Sequence, residues 1–218
     1  PRSTLFHDPP LFRSGEVKDH MFLDGLEDAY DRGRLMGTFA EDTAQAYQFT
    51  RKAQDDFALE SLRRAQKAGS DGSFAGEIVP VAGGGRGAGA EVTADEGPLR
   101  ADPEKIPKLK PAFRPDGTVT AANSSSISDG GAALLLMRAS EAERRGLTPL
   151  ARIVGHASHA QAPAWFTTAP VGALKKLFDK TGWSARDTDL FEINEAFAVV
   201  TMAAMKDLGL PHDKVNVH

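Results

Sequence analysis

The sequence predicts an α/β fold with a layered sheet, preceded by a mostly helical and irregular region, and three observations carry that prediction. From residue 130 onward, apolar runs of strand length alternate with helical stretches in the order strand, helix, strand, helix, strand, helix, strand. Before that, Ala53, Phe57, Ala58, Leu62 and Ala65 recur at the spacing of one helical face. Between the two lies "DEGPLRADPEKIPKLKPAF" (95–113), a Pro-rich irregular segment of the kind that stays ordered only by wrapping around something.

Residues 1–38 have weak periodicity, mixed charge and several Pro and Gly, so they read as loop-rich. The pattern turns helical at Phe39, where "FAEDTAQAYQF" makes a short helix. Thr50 can cap a second helix, "RKAQDDFALESLRRAQKAG", with Gly69 ending it and "SDGS" as a turn. "EIVPV" reads as a strand. "AGGGRGAGAE" (82–91) is a poor dinucleotide fingerprint, because Glu91-Val92-Thr93 continue as a strand rather than a phosphate-binding helix; a flexible hairpin tip fits better. After Asp116-Gly117 comes strand-like Thr-Val-Thr and a run of small polar residues. "AALLLM" (132–137) is of buried-strand type, "SEAERRG" a capped helix and "LARIVGHAS" another strand. "VGALKKLFDKTGW" is amphipathic, with Leu174, Leu177 and Phe178 on one face; "TDLFEI" is a short buried strand, and "EAFAVVTMAAMKDLG" a helix ending at Gly209. The chain starts "PRSTLFHDPP" without Met and ends "KVNVH" like the start of a strand. Both ends read as cuts through a larger protein, the alternative being a trimmed tag and a natural strand-like tail.

Composition narrows the function classes. With 41% hydrophobic and 26% charged residues, the 218-residue chain has the balance of a soluble globular protein with a substantial core. A net charge of −4 without a basic cluster argues against nucleic acid as a partner. No apolar run reaches the roughly 18–20 residues of a membrane span, and neither a signal peptide nor a transit-like N-terminus is recognisable. Zero cysteines exclude disulfides, thiolate metal sites and a cysteine nucleophile within these residues. His156 and His159 in "HASH" lie in or after a strand, where i and i+3 point to opposite faces, and no carboxylate sits at ligand spacing, so no metal is expected.

One stretch stands out. "FEINEAFAVV" (191–200) is largely apolar, yet Glu192, Asn194 and Glu195 stand in its middle, and buried amides and carboxylates are costly unless hydrogen-bonded. Asn194 falls where a strand hands over to a helix, and the carboxyl ends of strands in such sheets are where sites are built. Asn is also a good N-cap and Glu195 suits a first helical turn, so spacing alone leaves both readings open.

"NEAFA" (194–198), immediately after that strand, resembles the Asn-Glu-Ala-Phe motif of thiolases. "LMGTFAEDTAQAYQFTRKAQDDFALES", "EIVPV", "DEGPLR", "LKPAF", "TVTAANSSSISDGGAALLLM" and "KVNVH" match the same family in order, across nearly the whole chain. The resemblance implies a partial thiolase-like layered αβαβα fold. It divides the chain into a loop domain on the CoA-binding side (1–127), the end of the N-terminal core domain (128–147) and the first part of the C-terminal core domain (148–218). It implies an enzyme that condenses two acyl-CoA molecules to a 3-oxoacyl-CoA, or cleaves that product with CoA, through an acyl-cysteine. The nucleophilic cysteine would lie upstream of these residues, the catalytic histidine and a second cysteine downstream, and His218 is not that histidine. The 218 residues alone are therefore expected to be inactive.

By the same resemblance, Asn194 holds a water that donates to the thioester oxyanion. Ser125, with Ala121 alongside, contacts the pantetheine arm of CoA. Ala112, Phe113, Ala196 and Phe197 form apolar walls of the CoA tunnel, the two Phe residues reading equally well as plain core. Arg100 aligns with an arginine near the nucleotide end. Leu26 falls in a further CoA-contacting segment. Met36 and Phe166 flank the acyl pocket, where many members have Met in place of Phe166. Leu35 stands where many thiolases have a CoA-contacting histidine, and one extra residue appears between Leu26 and Leu35. CoA and acyl-CoA are substrates with no covalently bound cofactor, the complete protein is expected to be a cytoplasmic homodimer or homotetramer, and the subtype closest in pattern is an acetyl-CoA acetyltransferase. The alternatives are a long-chain 3-ketoacyl-CoA thiolase of β-oxidation acting in a complex, and a non-catalytic CoA-binding or oligomerisation module. Condensing enzymes of fatty-acid synthesis are less similar, since a histidine usually stands at the position of Asn194.

Overall fold

The computed structural model describes residues 17–83, 89, 91–128 and 130–218. A π-helix spans Met21–Leu26, and an isolated antiparallel bridge joins Glu27 to Leu35 just before the first α-helix. Helix α1 is Met36–Tyr47 and α2 is Arg51–Asp71. As expected, Thr50 caps α2, its Oγ1 accepting from the Ala53 N–H at 3.1 Å. The helix passes Gly69 and stops at Gly72, whose φ of +88° supplies the left-handed C-terminal geometry.

The expected strand "EIVPV" shrinks to β1, Val81–Ala82, paired antiparallel with β2, Glu91–Val92, in the register Val81↔Val92 and Ala82↔Glu91. Pro80 has no N–H to give a ladder, and pairing begins just after it. The glycine-rich tip expected between them falls mainly on residues 84–88 and 90, outside the described residues. Short helix α3, Glu96–Arg100, and a 3₁₀ segment, Pro103–Lys108, wrap against α2: Gln66 Nε2 donates to the Pro98 carbonyl at 2.9 Å, and Arg51 donates to the carbonyls of Ile106 and Leu109. The Pro-rich segment thus wraps as its composition requires.

Helices α4 (Ala139–Arg144), α5 (Ala169–Thr181) and α6 (Ala198–Leu208) follow, with 3₁₀ segments at Pro163–Thr168 and His212–Lys214. The "SEAERRG" helix starts after Arg138 without a side-chain cap, so its expected capping by the sequence does not occur. Two further expectations are corrected. "AALLLM" and "LARIVGHAS" form no strand among the described residues, and Leu134, Leu135 and Leu136 are 88%, 81% and 69% exposed. A buried strand is defined by neighbours on both edges, and no described segment pairs with either of these two, α5 alone packing against residues 155–158. Only "TDLFEI" and "KVNVH" meet, through a parallel bridge between Phe191 and Val215.

Helix α6 is buried along most of its length, at Ala198, Val199, Val200, Thr201, Ala203 and Ala204, and it divides two apolar clusters. One joins Ala40, Ala44, Val119, Phe197, Val199 and Val200, with Met36, Phe113 and Phe166 against it. The other joins Val171, Phe191, Ile193, Ala204, Leu210 and Val215, and takes Leu174 and Phe178 from the apolar face of α5. A buried carboxylate, Glu41, ties α1 to the segment after Gly117: it accepts from the N–H of Thr118 and of Val119, each at 2.9 Å, and from Thr118 Oγ1 at 3.0 Å.

Gly37, in the first turn of α1, sits under the Phe113 ring, and a Cβ there would lie 2.2 Å from it. That ring is held edge-on to Phe197, with centroids 6.1 Å apart. An alanine in a helix ordinarily stabilises relative to glycine, but here the packing reverses the sign. Gly37→Ala is expected to lower unfolding stability by about 1–3 kcal/mol, the usual cost of overpacking, in urea denaturation; a gain in stability would show that the ring moves aside freely.

Candidate functional site

The segment before α6 is held by the chain's C-terminal residues and by α2. Phe191 N–H donates to the Lys214 carbonyl and Asn216 N–H to the Phe191 carbonyl, both at 2.8 Å, as in a parallel ladder. At Asn216 the backbone turns left-handed, with φ +50°, and the side chain takes over the pairing. Its Oδ1 accepts from the Ile193 N–H at 2.7 Å, and its Nδ2 donates to the Ile193 carbonyl at 2.8 Å and to Glu195 Oε1 at 2.7 Å. The other oxygen of Glu195 accepts from Ser61 Oγ of α2 at 2.7 Å. Arg64, one helical turn along, donates to the carbonyls of His212, Val215 and Asn216. The Phe57 ring stacks on His212 at 5.0 Å.

Asn194 lies between these anchored neighbours. Its side chain is exposed and makes no hydrogen bond to any of the described residues. It opens onto a pocket of about 370 Å³ lined also by Ser61, Ala65, Glu195, Asn216 and His218. The N-cap alternative is excluded, because α6 begins three residues later than expected, with Phe197 in the cap position and no side-chain cap bond. The delay has a cause: Ala196 and Ala198 are already paired. Ser125 N–H donates to the Ala196 carbonyl and Ala198 N–H to the Asn123 carbonyl, both at 2.9 Å, around an antiparallel bridge between Ser124 and Phe197.

This pairing brings most of the expected residues together. The 118–125 loop is wired by buried Asn123, whose Oδ1 accepts from Thr120 N–H at 2.7 Å and whose Nδ2 donates to the Thr118 carbonyl and to Asp55. Ser125 and Ala121 are left exposed on its outer side, and Ser125 Oγ has only a long 3.4 Å contact to the Ser126 carbonyl. Ala112 is exposed, and its N–H donates to the Val119 carbonyl at 2.9 Å. Phe113, Ala196, Met36 and Phe166 are half-buried around the cluster that contains Phe197. Phe197, buried to 8% exposure, is part of the core, and Phe113 packs on it with one edge outward. Phe166 also meets Phe39 edge-on at 6.0 Å.

Two expected residues stand apart. Arg100 is exposed on α3, its guanidinium 2.8 Å from Glu96, and touches none of the others. Leu26 is outside the cluster, at the end of the π-helix and one residue before the Glu27–Leu35 bridge. His156 is exposed, and His159 pairs with Gln161 and packs its ring against Gly172. Among the described residues no group of three or more His, Cys, Asp or Glu is placed to hold a metal ion. A second open pocket, of about 440 Å³, between α1 and residues 114–118 contains none of the expected residues.

Sequence reasoning missed Asn216, Ser61 and Arg64. "KVNVH" reads as plain strand; the signal within it is an Asn, the non-glycine residue that best tolerates positive φ, breaking a β-branched run.

The description "Thiolase, N-terminal domain" matches residues 6–140 and "Thiolase, C-terminal domain" matches residues 147–218. The chain belongs to the thiolase family. It is 48% identical over 201 residues to a probable acetyl-CoA acetyltransferase of Dictyostelium discoideum, covering 92% of this chain and 48% of that protein. It is 47% identical over 210 residues to the cytosolic acetyl-CoA acetyltransferase of Mus musculus, covering 94% and 53%. Among solved structures, the Acat5 thiolase of Ascaris suum in complex with coenzyme A superposes with a TM-score of 0.88 at 39% identity, over 100% of this chain and 54% of that one. The acetyl-CoA acetyltransferase of Bacillus anthracis superposes with a TM-score of 0.87 at 43% identity, over 93% and 51%. The chain spans about half the length of the curated relatives it matches. The layered α/β arrangement expected from the sequence is therefore a partial thiolase fold, and in this thiolase chain Asn194 is the exposed amide of the Asn-Glu-Ala-Phe motif.

The anchoring segment carries a pH dependence. Burial, aided by the Arg64 charge, holds the His212 imidazole below its ordinary 6.5. The unfolded chain therefore binds the proton first, so the stability contributed by neutral His212 is complete above that value and is lost as pH falls toward the native one. The stability of the parent relative to His212→Phe is expected to decline as pH is lowered from about 7.5 to 5.5, read from urea midpoints. A constant difference would show that His212 titrates alike in both states.

Proposed function

We propose that the complete protein carrying this chain is a thiolase-type acetyl-CoA acetyltransferase, which joins two acetyl-CoA molecules to acetoacetyl-CoA and CoA, or runs the reverse thiolysis. The observation that carries the reading is the Asn194 amide, unbonded and facing a pocket between two immobilised neighbours. Two further facts support it: relatives at 48% and 47% identity bear the name acetyl-CoA acetyltransferase, and a structure of the same fold was solved with coenzyme A.

In this reading a cysteine outside these residues carries the acyl group as a thioester. Negative charge develops on a thioester oxygen in each half-reaction. Asn194 fixes a water that donates to that oxygen, which a neutral amide does without adding a charge to the site. The exposed hydroxyl and backbone groups of Ser125 and Ala121 meet the amides of the pantetheine arm. Ala112, Phe113, Ala196 and Phe197 form its apolar wall, Leu26 contacts CoA beside the acyl pocket, and Arg100 meets the nucleotide end. Met36 and Phe166 bound the acyl pocket. CoA and acyl-CoA act as substrates, with no prosthetic group. Residues 1–127 form the loop domain, 128–147 the end of the N-terminal core domain and 148–218 the first part of the C-terminal one. The complete protein is cytoplasmic and works as a homodimer or homotetramer.

Thiolysis of acetoacetyl-CoA by the full-length protein, followed at the enolate absorbance, is expected to exceed that of a 3-oxoacyl-CoA of about sixteen carbons by at least tenfold in kcat/KM. The reverse preference would assign the long-chain subtype, and no thiolysis of either would overturn the reading. Asn194→Ala is expected to lower kcat about 10²–10³-fold, as loss of one oxyanion donor does. The 218 residues purified alone, having no cysteine, are expected to show no turnover.

A further inference from the structure

We infer that Asn216 is a positioning residue for Asn194, acting by replacing a backbone rung with its side-chain amide. This rests on the reading of Asn194 given above. The parallel pairing at Phe191 and Val215 would, if continued, bond the Ile193 N–H to the Asn216 carbonyl and the Ile193 carbonyl to the His218 N–H. Instead the chain departs at Asn216 with φ +50°, and the amide supplies both the acceptor for the Ile193 N–H and the donor for its carbonyl. The second amide hydrogen goes to Glu195 Oε1. One side chain thus holds the residue before Asn194 and the residue after it. The Glu195 carboxylate is held from its other side by Ser61.

The consequence concerns Asn194, which like Glu192 is exposed and makes no hydrogen bond to a described residue. Asn194 has no hydrogen bond of its own to set its direction, so its orientation follows from the two peptide units that flank it. Asn216 fixes the first through the Ile193 carbonyl and restrains the residue after Asn194 through the Glu195 carboxylate. The amide of Asn216 is in turn held in place, since the backbone around it is gripped by Arg64 at the carbonyls of Val215 (2.6 Å) and Asn216 (3.1 Å). A water bound by Asn194 has to sit within a few tenths of an ångström of where the oxyanion forms, and a displacement of this amide is felt directly in the chemical step.

The test is a mutant cycle in the full-length protein, with kcat and KM for acetoacetyl-CoA as readouts and circular dichroism and urea midpoints as a check on folding. Asn216→Gly keeps the left-handed backbone and removes only the amide. It is expected to lower kcat about 10- to 100-fold with KM within about twofold. In an Asn194→Ala background the same change is expected to cost less than about threefold, because the group it positions is gone. Ser61→Ala, which loosens Glu195 from α2, is expected to show the same pattern with a smaller loss, and it carries the comparison if Asn216→Gly fails to fold. Full kcat in Asn216→Gly, or an equal loss with and without Asn194, would overturn the inference while leaving the role of Asn194 intact. Full activity in Asn194→Ala would overturn that role itself, and this inference with it.

Discussion

The hydrogen bonds between the Asn216 amide and the backbone of Ile193 are where three parts of the chain become one site: helix α2, the strand-to-helix junction at 191–197, and the C-terminal residues. Each part meets the others through a polar group that would be expensive to bury alone. Glu195 needs Ser61 and Asn216, and the carbonyls of His212, Val215 and Asn216 need Arg64. A hydrogen bond of this kind contributes only about 1 kcal/mol net, but a buried partner left without it costs about 1–3 kcal/mol. That asymmetry couples the members: removing one leaves its partly buried neighbours short of a partner. Apolar packing brings these elements close, and the polar groups fix their register.

The loop side of the site follows the same logic with different atoms. Glu41 takes both N–H groups at Thr118 and Val119, and Asn123 takes the Thr120 N–H while donating to Thr118 and Asp55. These buried side chains replace sheet partners for a segment that has no ladder of its own until it reaches Phe197. Their cost is repaid in shape. The loop meets the 196–198 backbone at a fixed height, with Ser125 exposed and Val119 buried.

Helices were the most legible part of the sequence, for reasons visible in particular residues. Thr50 caps α2 by a bond to a residue three positions on, and the apolar face of α5 needs only Leu174 and Phe178 to be read. Strands were less legible. "AALLLM" has the composition of a buried strand, but burial depends on neighbours far away in sequence, and no described segment stands beside it. The start of α6 was misplaced because tertiary pairing with 123–125 takes the backbone groups that a first helical turn would use. Within the site, the Asn-Glu pair announced itself as polar residues in an apolar run, whereas Asn216 was hidden: a left-handed backbone and a side-chain rung leave no trace in a β-branched pattern.

The order of residues 194–197 can now be understood as four jobs that cannot be exchanged. Asn194 comes first, where the chain has just left the pairing with 215–216 and its side chain faces open space. Glu195 must follow immediately, because only the next residue is near enough for Asn216 to hold it together with Ile193. Ala196 gives its carbonyl to Ser125, so its side chain stands at the contact between two segments, where a small residue lets them approach. Phe197 then turns into the core against Phe113, whose ring in turn requires Gly37 beneath it. Exchanging Asn194 and Glu195 would leave the composition unaltered. It would put an amide where the carboxylate accepts from both Ser61 and Asn216, and a carboxylate at the pocket, which under the proposed reading opposes the charge developing on the thioester oxygen. The amide faces the pocket, and the carboxylate is turned to the protein by Ser61 and Asn216.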